Sequence, residues 1–103
     1  MQLTPGGRYR SAVCDTEIVV VRPPSDAGAV LACGGVRMIP RGAEAGGPVS
    51  IHDGHDAGTL LGKRYGLSDD AFEVLVTRAG QGSLSLSGRP LEIKEPKPLP
   101  SSD

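Results

Sequence analysis

The chain has 103 residues, and its 15 Gly and 9 Pro are about twice the average share of these two residues. Its formal net charge is −1 at pH 7, which argues against a protein that follows the phosphates of a nucleic acid. No run of residues approaches the ~18 apolar residues of a membrane span. Residues 1–10 lack the apolar stretch of a secretory signal, which predicts a cytoplasmic location.

The first part of the chain is predicted to form short strands separated by turns. A short strand is predicted at residues 9–13. Residues 17–22 contain four β-branched residues in a row, which is typical of a buried strand. Further short strands are predicted at residues 29–32 and 36–39, and we expect Pro40 to end the last of them.

The remainder divides into a loop, a sheet and a tail. Residues 41–66 are predicted to be a Gly-rich loop. In residues 67–95 apolar and polar residues alternate, with Phe72, Val74 and Val76 on one face, which predicts a three-stranded β-meander. Residues 96–103 are predicted to be an extended Pro-rich tail. The predicted fold class is therefore all-β, with residues 1–40 and 67–95 contributing to one domain.

The two cysteines stand in a pattern that resembles a known family. Residues 9–21 read YRSAVCDTEIVVV and residues 31–38 read LACGGVRM, with Cys14 and Cys33 each at the start of a turn. This pattern resembles the desulforedoxin-like domain, which is also found at the N-terminus of desulfoferrodoxin and is related to rubredoxin-type and zinc-ribbon units. The resemblance covers about residues 8–40.

The resemblance implies a small β-domain, often dimeric, in which four cysteine thiolates hold one iron. Cys14 falls on the second cysteine of the first pair in that pattern, and Cys33 on the second cysteine of the adjacent pair. Ser11 and Ala32 stand where the other two cysteines would be, and Asp15 replaces a glycine. The chain therefore resembles a degenerate member of the family that keeps two of its four ligands.

Three states of the cysteines remain open at the sequence level, and in each we expect the two sulfur atoms to meet. In the first, Cys14 and Cys33 are a reduced, metal-free remnant that packs as small apolar side chains. In the second, His52 and His55 complete a Zn or Fe site of two cysteines and two histidines, since a structural metal needs about four ligands. The alternative for these histidines is a polar surface loop. In the third, the cysteines form a disulfide.

The predicted function is a small non-catalytic accessory protein or subunit that binds a protein partner or forms a homodimer. The alternative is a Zn- or Fe-binding protein, or a dithiol/disulfide redox protein, that uses Cys14 and Cys33. No nucleophile, base and orienting group can be assembled from the sequence, so an enzyme is not predicted. Neither a nucleic acid nor a membrane is expected as a partner, and the cofactor is expected to be Zn, Fe or none.

Overall fold

The computed structural model describes residues 2–44, 46–47 and 49–94. These residues form strands, turns and loops without a helix, which confirms the all-β fold class. A membrane-crossing helix is accordingly not found in this described part. The predicted Pro-rich tail, residues 96–103, lies outside it.

Ten strands are found within the described residues, and they form two sheets with antiparallel pairing. In chain order they are β1 (Arg8–Arg10), β2 (Glu17–Arg22), β3 (Leu31–Cys33), β4 (Val36–Arg37), β5 (Ile39–Pro40), β6 (Arg64–Gly66), β7 (Glu73–Arg78), β8 (Leu84–Leu86), β9 (Arg89–Pro90) and β10 (Glu92–Ile93). The six-stranded sheet has the order β10-β6-β7-β2-β1-β5, and the four-stranded sheet has the order β4-β3-β8-β9.

The core lies where the two sheets contribute apolar side chains to one cluster. In the six-stranded sheet, β2 pairs with β7 so that Ile18 is opposite Val76 and Val20 is opposite Val74, and all four side chains are buried. Burial of every second residue is what the alternating pattern of a strand predicts. The core cluster also includes Phe72, directly before β7, Met38, between β4 and β5, and four residues of the four-stranded sheet: Leu31, Cys33, Leu84 and Leu86.

The strands of residues 67–95 do not pair in chain order as a three-stranded meander. β7 pairs with β2 and β6, whereas β8 pairs with β3 and β9, so the segment after β7 carries the chain from one sheet to the other. β8 is buried at Leu84, Ser85 and Leu86 alike, and such a strand lacks the solvent face that a meander strand has.

One strand was predicted at residues 36–39, but the structure has two short strands there, and they belong to different sheets. β4 pairs with β3 and β5 pairs with β1, with the buried Met38 between them. Pro40 is the last residue of β5, so the strand ends at this proline as expected. This strand is at the edge of the six-stranded sheet, where the missing N–H of a proline is tolerated.

A tight turn places Cys33 at the end of its strand. Cys33 and Val36 are paired across β3 and β4, so the connection consists of Gly34 and Gly35 alone. Both have positive φ, +65° and +80°, as a two-residue type I′ turn requires. Glycine adopts this conformation without steric cost, and the turn therefore holds Cys33 in a defined position.

Two leucines test the assignment of the core. Leu31 is fully buried, whereas Leu61 is 66% exposed. We expect Leu31→Ala to lower the free energy of unfolding by about 2–5 kcal/mol, because it removes buried methyl groups and leaves a cavity. The matched variant Leu61→Ala should change it by less than ~0.5 kcal/mol. Urea unfolding followed by circular dichroism measures both, and equal losses would contradict the described core.

Candidate dithiol site

The structure brings the two cysteines together, as the sequence predicted. Cys14 lies in the turn between β1 and β2, Cys33 ends β3 in the other sheet, and their Sγ atoms are 3.7 Å apart. A disulfide bond is about 2.05 Å long, so these sulfurs are two free thiols in contact.

Ser11 builds the turn that carries Cys14. Its side-chain Oγ accepts hydrogen bonds from the backbone N–H groups of Val13 at 3.0 Å and of Cys14 at 3.1 Å. This is the way in which a serine hydroxyl closes a short turn. Ser11 is itself buried, with 3% of its surface exposed. The hydroxyl of Ser11 therefore helps to fix the backbone position of Cys14.

Cys14 is half-buried and its sulfur lies among hydrogen-bonding groups, of which Thr16 Oγ1 accepts from the neutral thiol. Its Sγ lies 3.3 Å from Thr16 Oγ1, and the backbone N–H of Gly82 donates to it at 3.4 Å. Burial raises the pKa of Cys14, but hydrogen bonds from Ser11, Thr16 and Gly82 outweigh it and lower the pKa from 9.0 to about 7. Cys14 can therefore be a thiolate near neutral pH, and the thiolate is the nucleophilic form of cysteine.

Cys33 has the opposite character. Its side chain is fully buried. Burial, followed by the negative charge of the nearby Cys14 thiolate, raises the pKa of Cys33 to about 11. One site thus contains a thiol that ionises easily and a thiol that stays protonated beside it.

Two glycines allow the chain to pass directly over the sulfur atoms. A Cβ atom on Gly80 would lie 2.9 Å from Cys14 Sγ, and one on Gly82 would lie 2.9 Å from Cys33 Sγ. A Cβ on Gly80 would also clash with the side chain and backbone of Thr16, and one on Gly82 with the backbone of Gly34, so neither position has room for a larger residue. The sequence indicated only a turn here. Glycines near a strand can also indicate that another part of the backbone approaches closely, and Gly80 and Gly82 gave that signal in the sequence.

Two buried threonines belong to the site and were missed by the sequence analysis. Thr16 is fully buried and Thr59 is 6% exposed, and their Oγ1 atoms are 3.1 Å apart. The backbone N–H of Gly80 donates to Thr59 Oγ1 at 3.0 Å. These threonines are 43 residues apart in the chain, and no local pattern links them.

The two predicted histidines lie in a loop that packs against the turn after Cys33. The backbone N–H of His52 donates to the carbonyl of Gly34 at 2.8 Å, and the His52 ring lies where a Cβ on Gly35 would be. The rings of His52 and His55 are 6.5 Å apart, and the His52 side chain is exposed. The histidines are therefore close to each other and to the backbone beside one cysteine.

The donor set does not fit a four-ligand metal site as it stands. Among the residues that the structure describes, no group of three or more His, Cys, Asp or Glu side chains could hold a metal ion. The nearest neighbours of the sulfurs are hydroxyl and backbone groups, whereas structural Zn sites use Cys and His. The ligand roles of Cys14, Cys33, His52 and His55 stay a prediction.

Comparison with known proteins adds no assignment. No family of known proteins, no curated protein and no solved structure matches this chain. The resemblance to the desulforedoxin-like domain stays a prediction based on the spacing around the two cysteines.

The different surroundings of the two thiols predict different alkylation profiles. The rate of Cys14 alkylation by iodoacetamide should rise through a midpoint near pH 7, because the thiolate reacts and the pKa of Cys14 is about 7. Cys33 should stay unmodified until the pH approaches its pKa of about 11. Peptide mass spectrometry of the reduced protein after short alkylation pulses measures both rates. Two cysteines with the same midpoint near pH 9 would contradict the asymmetry.

Proposed function

We propose that the chain is a small thiol–disulfide exchange protein in which Cys14 and Cys33 alternate between a dithiol and a disulfide. The observation that carries this proposal is the 3.7 Å contact between two free sulfur atoms from different sheets. Closing it to a bond of about 2.05 Å requires a local adjustment of the turn at Cys14. The proposed substrate is a disulfide, either in another protein or in a small molecule.

The reaction balances in two exchange steps. In the first, the Cys14 thiolate attacks one sulfur of a substrate disulfide, a mixed disulfide forms at Cys14, and the other substrate sulfur leaves as a thiolate that takes up a proton. In the second, Cys33 attacks Cys14 Sγ, and its proton passes to the departing substrate sulfur. The bond between the two cysteines forms, and the second substrate thiol leaves. The protein loses two electrons, and the substrate disulfide gains them.

The surroundings of the two sulfurs support this division of roles. Cys14 is partly exposed, so a substrate disulfide can reach it, and its pKa of about 7 provides a thiolate at neutral pH. Cys33 is buried, so it meets a disulfide only when one has formed at Cys14. The exposed cysteine is therefore the attacking thiol and the buried cysteine is the resolving thiol.

Oxidised glutathione tests the proposal directly. The reduced protein should lose both free thiols and gain an internal disulfide that dithiothreitol reverses, as shown by thiol counting and intact mass. Cys33→Ser should stop at a glutathione adduct on Cys14, because the resolving thiol is gone. Cys14→Ser should form much less adduct, since Cys33 is buried.

Two outcomes of this experiment would contradict the proposal or its assigned roles. A wild-type protein that keeps both thiols at a large excess of oxidised glutathione would do so. A Cys33→Ser protein that forms no adduct while Cys14→Ser reacts readily would reverse the assigned roles. Folding of each variant is checked by circular dichroism, so that loss of reaction is not confused with loss of structure.

A second candidate function is the accessory subunit that binds a protein partner or forms a homodimer. The adjacent side chains of Leu60 and Leu61 are 54% and 66% exposed, and they offer apolar surface that a partner could bury. Light scattering of the purified chain tests self-association, and the mass of a single chain at every concentration would contradict a homodimer. The cytoplasmic location also stays a prediction.

A further inference from the structure

A continuous series of hydrogen bonds leads from the backbone to the sulfur of Cys14. The backbone N–H of Gly80 donates to Thr59 Oγ1 at 3.0 Å, Thr59 Oγ1 lies 3.1 Å from Thr16 Oγ1, and Thr16 Oγ1 lies 3.3 Å from Cys14 Sγ. Both threonines are buried, so water competes little for these hydroxyl groups. The series joins the turn that covers the sulfurs to the attacking thiol itself.

The Gly80 end of this series has a fixed direction. A backbone N–H can only donate, so Thr59 Oγ1 must accept there, and its own proton is free to be donated. That proton can go to Thr16 Oγ1 or, in a longer contact of 3.5 Å, to the Gly80 carbonyl. The carbonyl already accepts the backbone N–H of Thr59 at 3.0 Å. Thr16 is therefore the better-placed acceptor for the Thr59 hydroxyl.

We propose that Thr59 is a positioning residue that acts through Thr16 to stabilise the reduced form of the Cys14–Cys33 pair. This inference rests on the proposed dithiol function. In the structure the neutral Cys14 thiol donates to Thr16 Oγ1. Once Cys14 ionises, the Thr16 hydroxyl donates to the thiolate instead, and the Thr59 hydroxyl donates to Thr16. Each hydroxyl in the series polarises the next, which strengthens the bond to the charged sulfur.

Oxidation removes the negative charge on Cys14 Sγ, to which this series of hydrogen bonds leads. When Cys14 is part of a disulfide, its sulfur has no charge and is a weak hydrogen-bond acceptor. The hydrogen bonds of Thr16 and Thr59 therefore favour the dithiol over the disulfide. A pair whose reduced form is stabilised in this way is a stronger oxidant.

Replacement of Thr59 by valine and by serine separates hydrogen bonding from packing. Thr59→Val keeps the shape of the side chain and removes the hydroxyl, whereas Thr59→Ser keeps the hydroxyl and removes the methyl group. If Thr59 acts by packing, the serine variant is the one that changes. If it acts through its hydroxyl, the valine variant changes and serine restores the wild-type value.

The measurement is the equilibrium between the protein and mixtures of reduced and oxidised glutathione, at a pH one unit above the pKa of about 7 of Cys14. We expect the equilibrium constant for disulfide formation to rise about tenfold in Thr59→Val, which is a fall of about 30 mV in the reduction potential. Thr59→Ser should stay within about twofold of the wild type. Thr4→Val, at an exposed threonine, is the control and should have no effect.

The outcomes separate this inference from the proposed function. A wild-type protein that forms no internal disulfide overturns the proposed function. A wild-type protein that forms one, with the same constant in Thr59→Val or an altered constant in Thr59→Ser alone, overturns only the role of Thr59. If Thr59→Val does not fold by circular dichroism, Thr59→Ala replaces it, since alanine also lacks the hydroxyl and adds no bulk.

Discussion

The rest of the site depends on one constraint: two sulfur atoms touch each other beneath the turn that contains Gly80 and Gly82. Cys14 and Cys33 come from different sheets, and their sulfurs can approach to 3.7 Å only where the chain at Gly80 and Gly82 has no Cβ atoms. The same backbone crosses from one sheet to the other between β7 and β8. The junction of the sheets and the reactive pair are therefore one structural feature.

The two cysteines differ chemically because Cys33 ends a buried strand, whereas Cys14 lies in a turn. Cys33 closes a strand in the core and stays buried, while Cys14 lies in a turn whose hydroxyl and N–H groups face its sulfur. At Cys33, burial and the charge of Cys14 outweigh the hydrogen bonds of Thr16 and Ser11 and keep the thiol protonated, whereas at the partly exposed Cys14 the hydrogen bonds outweigh burial and favour the thiolate. Two cysteines in contact thus have the separate properties that the proposed attacking and resolving thiols need.

Local patterns predicted the parts of the fold that depend on neighbouring residues. The strand at residues 17–22 was predicted with the bounds of β2, and the alternation at Phe72, Val74 and Val76 correctly identified the buried face. The division of strands between two sheets was not predicted, because alternation shows which face of a strand is buried and leaves its partner open. The contact of Thr16 with Thr59 spans 43 residues and has no local pattern at all.

Ser11 shows why the spacing of the cysteines predicted that the two sulfurs meet but did not predict the chemistry of the site. Spacing predicts that turns bring two positions together, and the sulfurs do meet. The chemistry depends on which side chains surround the two sulfurs. Ser11 uses its hydroxyl to hold the backbone of its own turn, and Thr16 presents a hydroxyl to Cys14. Hydroxyls are not among the usual ligands of Zn, but they stabilise a thiolate by hydrogen bonding, so this lining favours sulfur chemistry over a four-ligand metal.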